Sequence, residues 1–246
     1  TSITGNVATT GEDADALRIS GGDRNTINVV GDISATNGGG FYIDLSDTNT
    51  INVTGNTSVG GSSDSAFDIN QSNSNTLSIT GDVTTSAGSS HGFEVSGDSN
   101  NITMTGNIST TGTASHGLDL STSDSNTFNI TGDITTTGTD GDSEPIRLEN
   151  SDSNTFTLSG NVKSLGGDQA ISIDADSDAN TFNIQSGSTF LGDFENLGTN
   201  TVITNQGVMD EINNTGSIAT FNNAQTGATY SGTLPVNYNI IINSPT

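Results

Sequence analysis

Four carboxylates, Asp44, Asp68, Glu94 and Asp119, recur at intervals of 24, 26 and 25 residues, with Arg18 before them and Arg147 and Ser172 after. If successive repeats stack as strands, such residues lie about 4.8 Å apart. Neighbouring carboxylates at that distance raise one another's pKa or share a cation. Hard divalent ions take oxygen ligands, so the chemistry this column suggests is calcium association, and calcium is the one cofactor the sequence offers. A carboxyl pair at about 5 Å is also the arrangement of a retaining glycosidase. That chemistry needs sugar platforms and cationic help. Only Tyr42 stands near the column, and the four basic residues are scattered as Arg18, Arg24, Arg147 and Lys163. No enzymatic activity is expected. The two histidines, His91 and His116, are 25 residues apart and would stack. Without Cys or a further His they read as a turn pair with depressed pKa rather than a metal site.

These residues need a repeat to bring them together, and the chain carries one. Asn25-Thr26-Ile27-Asn28-Val29 returns at Asn49, Asn75, Asn126, Asn154 and Asn180, with a variant at Asn100. After each comes a turn glycine, at Gly5, Gly31, Gly55, Gly81, Gly106, Gly132 and Gly160, spaced by 26, 24, 26, 25, 26 and 28 residues. Each period holds three apolar-polar-apolar triplets, the pattern of strands with one buried face, separated by Gly and Asn or Asp at turns. Three short strands in about 26 residues make one coil of a parallel β-helix. The fold class expected is therefore all-β: a single-stranded parallel β-helix of about seven coils over residues 1–187. Residues 188–246 form an irregular C-terminal capping or association segment.

Columns of like residues predict ladders. The Asn series from Asn25 to Asn180 should form a structural amide ladder. The residue after each glycine alternates as Asn6, Asp32, Asn56, Asp82, Asn107, Asp133 and Asn161, which spaces charge along the stack. Thr84-Thr85, Ser109-Thr110-Thr111 and Thr135-Thr136-Thr137 give one face a Thr character. Ala8, Ser34, Ser58 and Lys163 interrupt its outward column, so ice binding is not expected of that face.

Composition narrows the function classes. The chain has 28 acidic and 4 basic residues, a formal charge of -24, no cysteine and 29% hydrophobic residues. Nucleic-acid binding driven by clustered Lys and Arg is excluded, as are disulfides and thiolate metal sites. No run approaches the ~20 apolar residues of a membrane-spanning helix. At the ends, Thr1-Ser2-Ile3-Thr4-Gly5-Asn6 reads as a coil already under way, and Tyr238-Asn239-Ile240-Ile241-Ile242-Asn243 as a strong strand former. Both suggest edges open to stacking, either within a longer solenoid or between subunits joined head to tail. Aromatics at Phe190, Phe194, Phe221, Tyr230 and Tyr238 mark the segment where the period fails.

The pattern Ser125-Asn126-Thr127-Phe128-Asn129-Ile130-Thr131-Gly132-Asp133, the Asn-x-Gly-x-Ile elements and the ending from Gly232-Thr233-Leu234-Pro235 to Thr246 resemble the passenger region of Gram-negative autotransporters. The resemblance implies secretion to the bacterial cell surface and a role as stalk, adhesin or self-associating filament. The expectation is thus a non-enzymatic extracellular structural or adhesive solenoid. Its partners would be further copies at its ends and a glycan or another cell-surface component. The alternative is a carbohydrate-binding or carbohydrate-cleaving β-helix that uses the acidic column.

Overall fold

A computed structural model describes residues 1–167, 169–223 and 228–232, together with the backbone of 238–241. It is all-β and parallel throughout, a β-solenoid of about seven turns. Three sheets run its length. The long sheet has 11 strands, the first at Ser2–Thr4 and the last at Tyr238–Ile241. A short-strand sheet of 8 runs from Val7–Thr9 to Phe190–Leu191, and a 9-stranded sheet, called here the acidic sheet, runs from Leu17–Ser20 to Ile212–Asn214.

Alternation sets the interior. In the long sheet, from Thr26–Val30 to Thr181–Ile184, the second and fourth residues of each strand point inward, as in Phe128 and Ile130, both at most 1% exposed. Phenylalanines stack from coil to coil: Phe67 on Phe93 at 4.9 Å, and Phe128, Phe156 and Phe182 at 5.2 and 4.8 Å. A narrow core of alternate positions is filled with few apolar residues, so a hydrophobe-poor chain can fold.

Turns close the coils through side-chain ladders. Before the long-sheet strands the chain reads Ser-Asp-x-Asn at Ser46, Ser123, Ser151 and Ser177, with Gly in place of Ser at Gly22 and Gly97 and Asn in place of Asp at Asn73. The Asn ladder forms as expected: the Asn100 N–H donates to Asn126 Oδ1 at 2.8 Å, and the Asn126 N–H to Asn154 Oδ1 at 2.8 Å. The side-chain amide of Asn126 donates to Gly97 O at 2.9 Å and to Asn154 Oδ1 at 3.1 Å. Ser oxygens do the same, with the Ser46 N–H on Ser72 Oγ at 3.0 Å and the Ser151 N–H on Ser177 Oγ at 3.0 Å. The residue between Asp and Asn takes the left-handed conformation, φ 56° to 58°, at all seven coils from Arg24 to Ala179, and none is glycine. That conformation costs about 1 kcal/mol for an L-residue. Two hydrogen bonds per turn, each worth about 1 kcal/mol net and costly to leave unmade, outweigh it.

The alternating column after the glycines is also a ladder. The Asp82 N–H donates to Asn56 Oδ1 at 2.9 Å, and the Asn107 N–H to Asp82 Oδ1 at 2.8 Å. The backbone bond needs only an acceptor oxygen, which Asn and Asp both supply, and the alternation spaces charge while letting the amides of Asn107 and Asn161 donate to Asp82 and Asp133 at 3.2 and 2.9 Å. Glycine is required just before: at Gly81, φ 140°, an added Cβ would lie 2.1 Å from the Gly55 carbonyl oxygen.

Beyond Gly187 the coils shorten but the sheets continue. Phe194 pairs with Ile212 and Ile203 with Phe221, both 18 residues on, and a register shift appears at Thr201/Val202. The boundary at 187 is thus a change of period within the same long and acidic sheets. Tyr238–Ile241 pairs in parallel with Ile218–Asn222, so one edge of this strand former is covered. Pro235 and the ends of the sequence motifs at Thr233 and Asn243 lie outside the described residues.

If the ladders hold the coils, Asn126→Ala should cost about 2–4 kcal/mol, because it strands the buried Asn100 N–H and removes the bonds to Gly97 and Asn154. Thr131→Ala, exposed on the same coil, should stay within about 0.5 kcal/mol. Thermal and urea melts of the two variants side by side check this, and equal losses would refute it.

Candidate functional site

The acidic sheet carries the candidate site, and its register corrects the sequence alignment in one place. Leu17, Phe41, Phe67, Phe93, Leu118 and Ile146 pair in succession. The outward column is therefore Arg18, Tyr42, Asp68, Glu94, Asp119, Arg147, Ser172 and Glu195. Asp44 is not in it. Asp44 pairs with Ser20 and Asn70, one outward position farther along the strand. Phe41-Tyr42-Ile43-Asp44 admits two alignments that both bury apolar residues, and the pairing of Phe41 with Phe67, their rings tilted at 6.5 Å, goes with the one that puts Tyr42 in the column. Three acids, not four, stand on consecutive coils.

Arginines flank the trio, but only its Asp119 end is paired with one. The Arg18 guanidinium lies 3.2 Å from Asp44 and 3.7 Å from Asp15, and 4.6 Å over the Tyr42 ring. At the other end Arg147 reaches Asp119 at 3.3 Å and Glu149 at 2.7 Å. Among the described residues no ion pair reaches Asp68. Burial pushes its carboxyl up to about 8, helped by the negative charge of Glu94, Asp15 and Asp44. Burial also raises Glu94, although the Ser65 hydroxyl donates to its Oε2 at 2.9 Å and opposes the shift.

The histidines stack as expected, with ring centroids 5.0 Å apart and planes 3° from parallel. His91 Nδ1 accepts the His116 N–H at 3.0 Å, and its Nε2 lies 3.6 Å from Asp119. Burial pushes His91 down to about 4, and protonating Nδ1 would in addition turn an N–H against an N–H. His116 departs from the expectation. Burial disfavours its charged form, but hydrogen bonding to Glu144 and the charges of Asp119 and Glu144 prevail and raise its pKa. Its Nδ1 lies 3.2 Å from the Glu144 N–H and 3.1 Å from Glu144 Oε2, a buried oxygen with no other hydrogen-bond partner among the described residues.

Metal chemistry can be weighed on these contacts. Among the described residues, possible ligand atoms converge within 4.8 Å at His91, His116 and Asp119, and at His116, Asp142 and Glu144. A ligating imidazole normally donates its second N–H to an acceptor. Here each Nδ1 instead accepts a backbone N–H, which places the proton of neutral His91 on Nε2. Parallel rings also aim their lone pairs along parallel lines rather than at one point. The pair is built as a link between coils. For calcium, the oxygen donors present are Asp68, Glu94 and Asp119 in the column, with Asp44 beside it.

A second acidic column escaped the sequence reading. Asp23, Asp47, Asn73, Asp98, Asp124, Asp152 and Asp178 occupy the turn between the acidic and long sheets, and each backbone N–H donates to the oxygen of the coil before. The Asp124 N–H meets Asp98 Oδ1 at 2.8 Å, the Asp152 N–H meets Asp124 Oδ1 at 2.8 Å, and the Asp178 N–H meets Asp152 Oδ1 at 2.6 Å. Repulsion between unit charges about 4.8 Å apart is about 0.9 kcal/mol at the dielectric of water. A hydrogen bond to a charged acceptor is worth about 1.5–3 kcal/mol, so the ladder tolerates four aspartates in succession. The repeated Ser-Asp-x-Asn was the available signal.

A depression of about 410 Å³, lined by Leu165, Gly167, Gln169, Leu191 and their neighbours, shares no residue with the acidic trio or the histidine pair.

In the unfolded chain Asp68 titrates near 3.8, so between pH 3.8 and about 8 the unfolded chain gives up a proton that the fold keeps. Stability therefore falls as pH rises across that window. Asp68→Asn should stabilise the fold at pH 7.5 by an amount on the order of a few kcal/mol, seen as a higher melting temperature, and flatten the decline between pH 4.5 and 8. An unchanged pH slope in the variant would contradict the assignment. No protein-family model, curated protein or solved structure matches the chain.

Proposed function

We propose that the chain is a non-enzymatic, extracellular structural solenoid, a stiff spacer or adhesive stalk at a bacterial cell surface. The observation that carries this reading is the constancy of the coil. From Thr26 to Ile184 the long sheet pairs residue for residue through seven strands without a bulge. Enzymes built on solenoids place their groups in a groove made by inserted loops, whereas here the turns are closed by ladders. Such a rod resists bending, because each coil is tied to the next at the turns as well as along the strands. Stacking of further copies end to end along the solenoid axis is the mode of association that suits this architecture.

The alternative, carbohydrate binding or cleavage, draws on one specific observation. Asp68, held protonated at neutral pH beside Glu94, has the character of a general acid next to a second carboxyl. Against it, Tyr42 is covered by Arg18 and offers no free sugar platform.

Two measurements separate the readings. Duplicating one whole coil, residues 107–132, should lengthen the particle by about 4.8 Å in small-angle scattering and leave its cross-section unchanged. Incubation with acidic and neutral polysaccharides should release no reducing ends. Cleavage that disappears in Asp68→Asn would overturn the structural reading in favour of the alternative.

A further inference from the structure

The long sheet presents an outward face unlike the rest of the surface. Over the seven strands from Thr26–Val30 to Thr181–Ile184 the outward positions fall into three columns. The leading column is Thr26, Thr50, Thr76, Thr127, Thr155 and Thr181, broken only by Asn101. The middle column alternates among Asn, Ser and Thr, and the trailing column is Thr at Thr54, Thr80, Thr105 and Thr131. Of the twenty positions twelve are Thr, five Asn, two Ser and one Val. None is charged, in a chain of formal charge -24. On the acidic sheet, by contrast, the outward column carries Arg18, Asp68, Glu94, Asp119 and Arg147, and the short-strand sheet has Lys163.

Regular pairing turns these columns into a lattice. Coils repeat about every 4.8 Å, and alternate residues along a strand about every 6.6 Å. Threonine is stiff at χ1, so identical neighbours hold their hydroxyls and methyls in one repeated orientation. Among the described residues none of these twelve hydroxyls makes a hydrogen bond within the chain, so all are available to water. The coil repeat is close to the oxygen repeat of hexagonal ice along its a axis.

We propose that this face binds ice, its methyls and hydroxyls holding a sheet of water in register with a growing crystal plane. Charge argues for this occupant. An ionised side chain keeps a hydration shell that a crystal lattice rejects, and the neutral face is where an uncharged surface meets this anionic chain without displacing fixed charge. A protein partner would need large apolar, aromatic or Arg anchors, and the only exposed large hydrophobic residue on these strands is Val30. A glycan would need an aromatic platform, and the aromatic rings of these strands, Phe128, Phe156 and Phe182, are buried. The Thr character legible from sequence belonged to the short-strand sheet, whose single outward column is interrupted. The broader array, twelve Thr among twenty uncharged or apolar positions, is on the neighbouring face.

The test uses the full chain in a nanolitre osmometer and an ice-recrystallisation assay. The wild-type protein should facet ice crystals, produce a gap between melting and freezing points, and slow recrystallisation. Thr103→Lys/Thr105→Lys, which places two charges at the centre of the array, should abolish all three effects while leaving the melting curve of the protein unchanged. Thr84→Lys, on the short-strand sheet, should retain them. A wild-type protein that neither facets ice nor separates the two temperatures would overturn the proposal, as would full activity in the double variant. If the wild type is inactive and the double variant instead shifts the sedimentation coefficient, the face belongs to a second copy, and the proposal fails equally.

Discussion

A side-chain oxygen accepting a backbone N–H from the next coil is the interaction on which this molecule depends. Strand pairing alone joins coils along their flat faces and leaves the turns, where most backbone groups would otherwise face water. At the Ser-Asp-x-Asn turn three ladders run in parallel, and they differ in direction. The Ser and Asn oxygens accept from the coil before, as when Asn49 Oδ1 takes the Asn25 N–H, and the Asp oxygens accept from the coil after, as when Asp23 Oδ1 takes the Asp47 N–H. Each turn is thus held from above and below. Register, the left-handed residue at every such turn, and the constancy of the cross-section follow from that double attachment.

The same constraint organises the charge. An oxygen acceptor is what the turn needs, and aspartate supplies it as well as asparagine does, with a stronger bond and a charge left over for solvent. The turn columns therefore gather acids, alternating with Asn after the glycines and nearly unbroken beside the long sheet. Charge that the ladders collect at the edges is absent from the long sheet itself. The acidic sheet is the exception: there Asp68 and Glu94 sit half-buried on consecutive coils with arginines only beyond them, and the fold bears the cost by keeping a proton.

Much of this was legible in the sequence, because a solenoid writes its geometry as a period. The coil length, the three strands, the Asn ladder and the alternating column after the glycines could all be read by aligning glycines. What could not be read were features decided by packing rather than spacing. Asp44 and Tyr42 were exchanged because Phe41-Tyr42-Ile43-Asp44 alternates correctly in either of two registers, and the pairing of Phe41 with Phe67 goes with only one. The aspartates from Asp23 to Asp178 looked like ordinary turn residues until their oxygens were seen to meet backbone N–H groups. The two histidines were recognisable as a stack, but not their opposite shifts, since Glu144 reaches His116 and not His91. Beyond Gly187 the period is lost to coils of 18 residues whose aromatic contacts, Phe182 on Phe194 and Phe221 on Tyr230, replace the regular stacks.

Native-state hydrogen exchange, resolved by residue, tests most directly whether the ladders hold the coils. The turn amides of Asn75, Asn100, Asn126 and Asn154 donate to side chains, not to a strand. If these ladders are structural equals of the sheets, the four amides exchange as slowly as those of Phe128 and Phe156 in the adjoining strands, through the same opening event. Exchange at the rate of free turn amides while the strands stay protected would show that the sheets alone carry the stability and that the ladders merely decorate them.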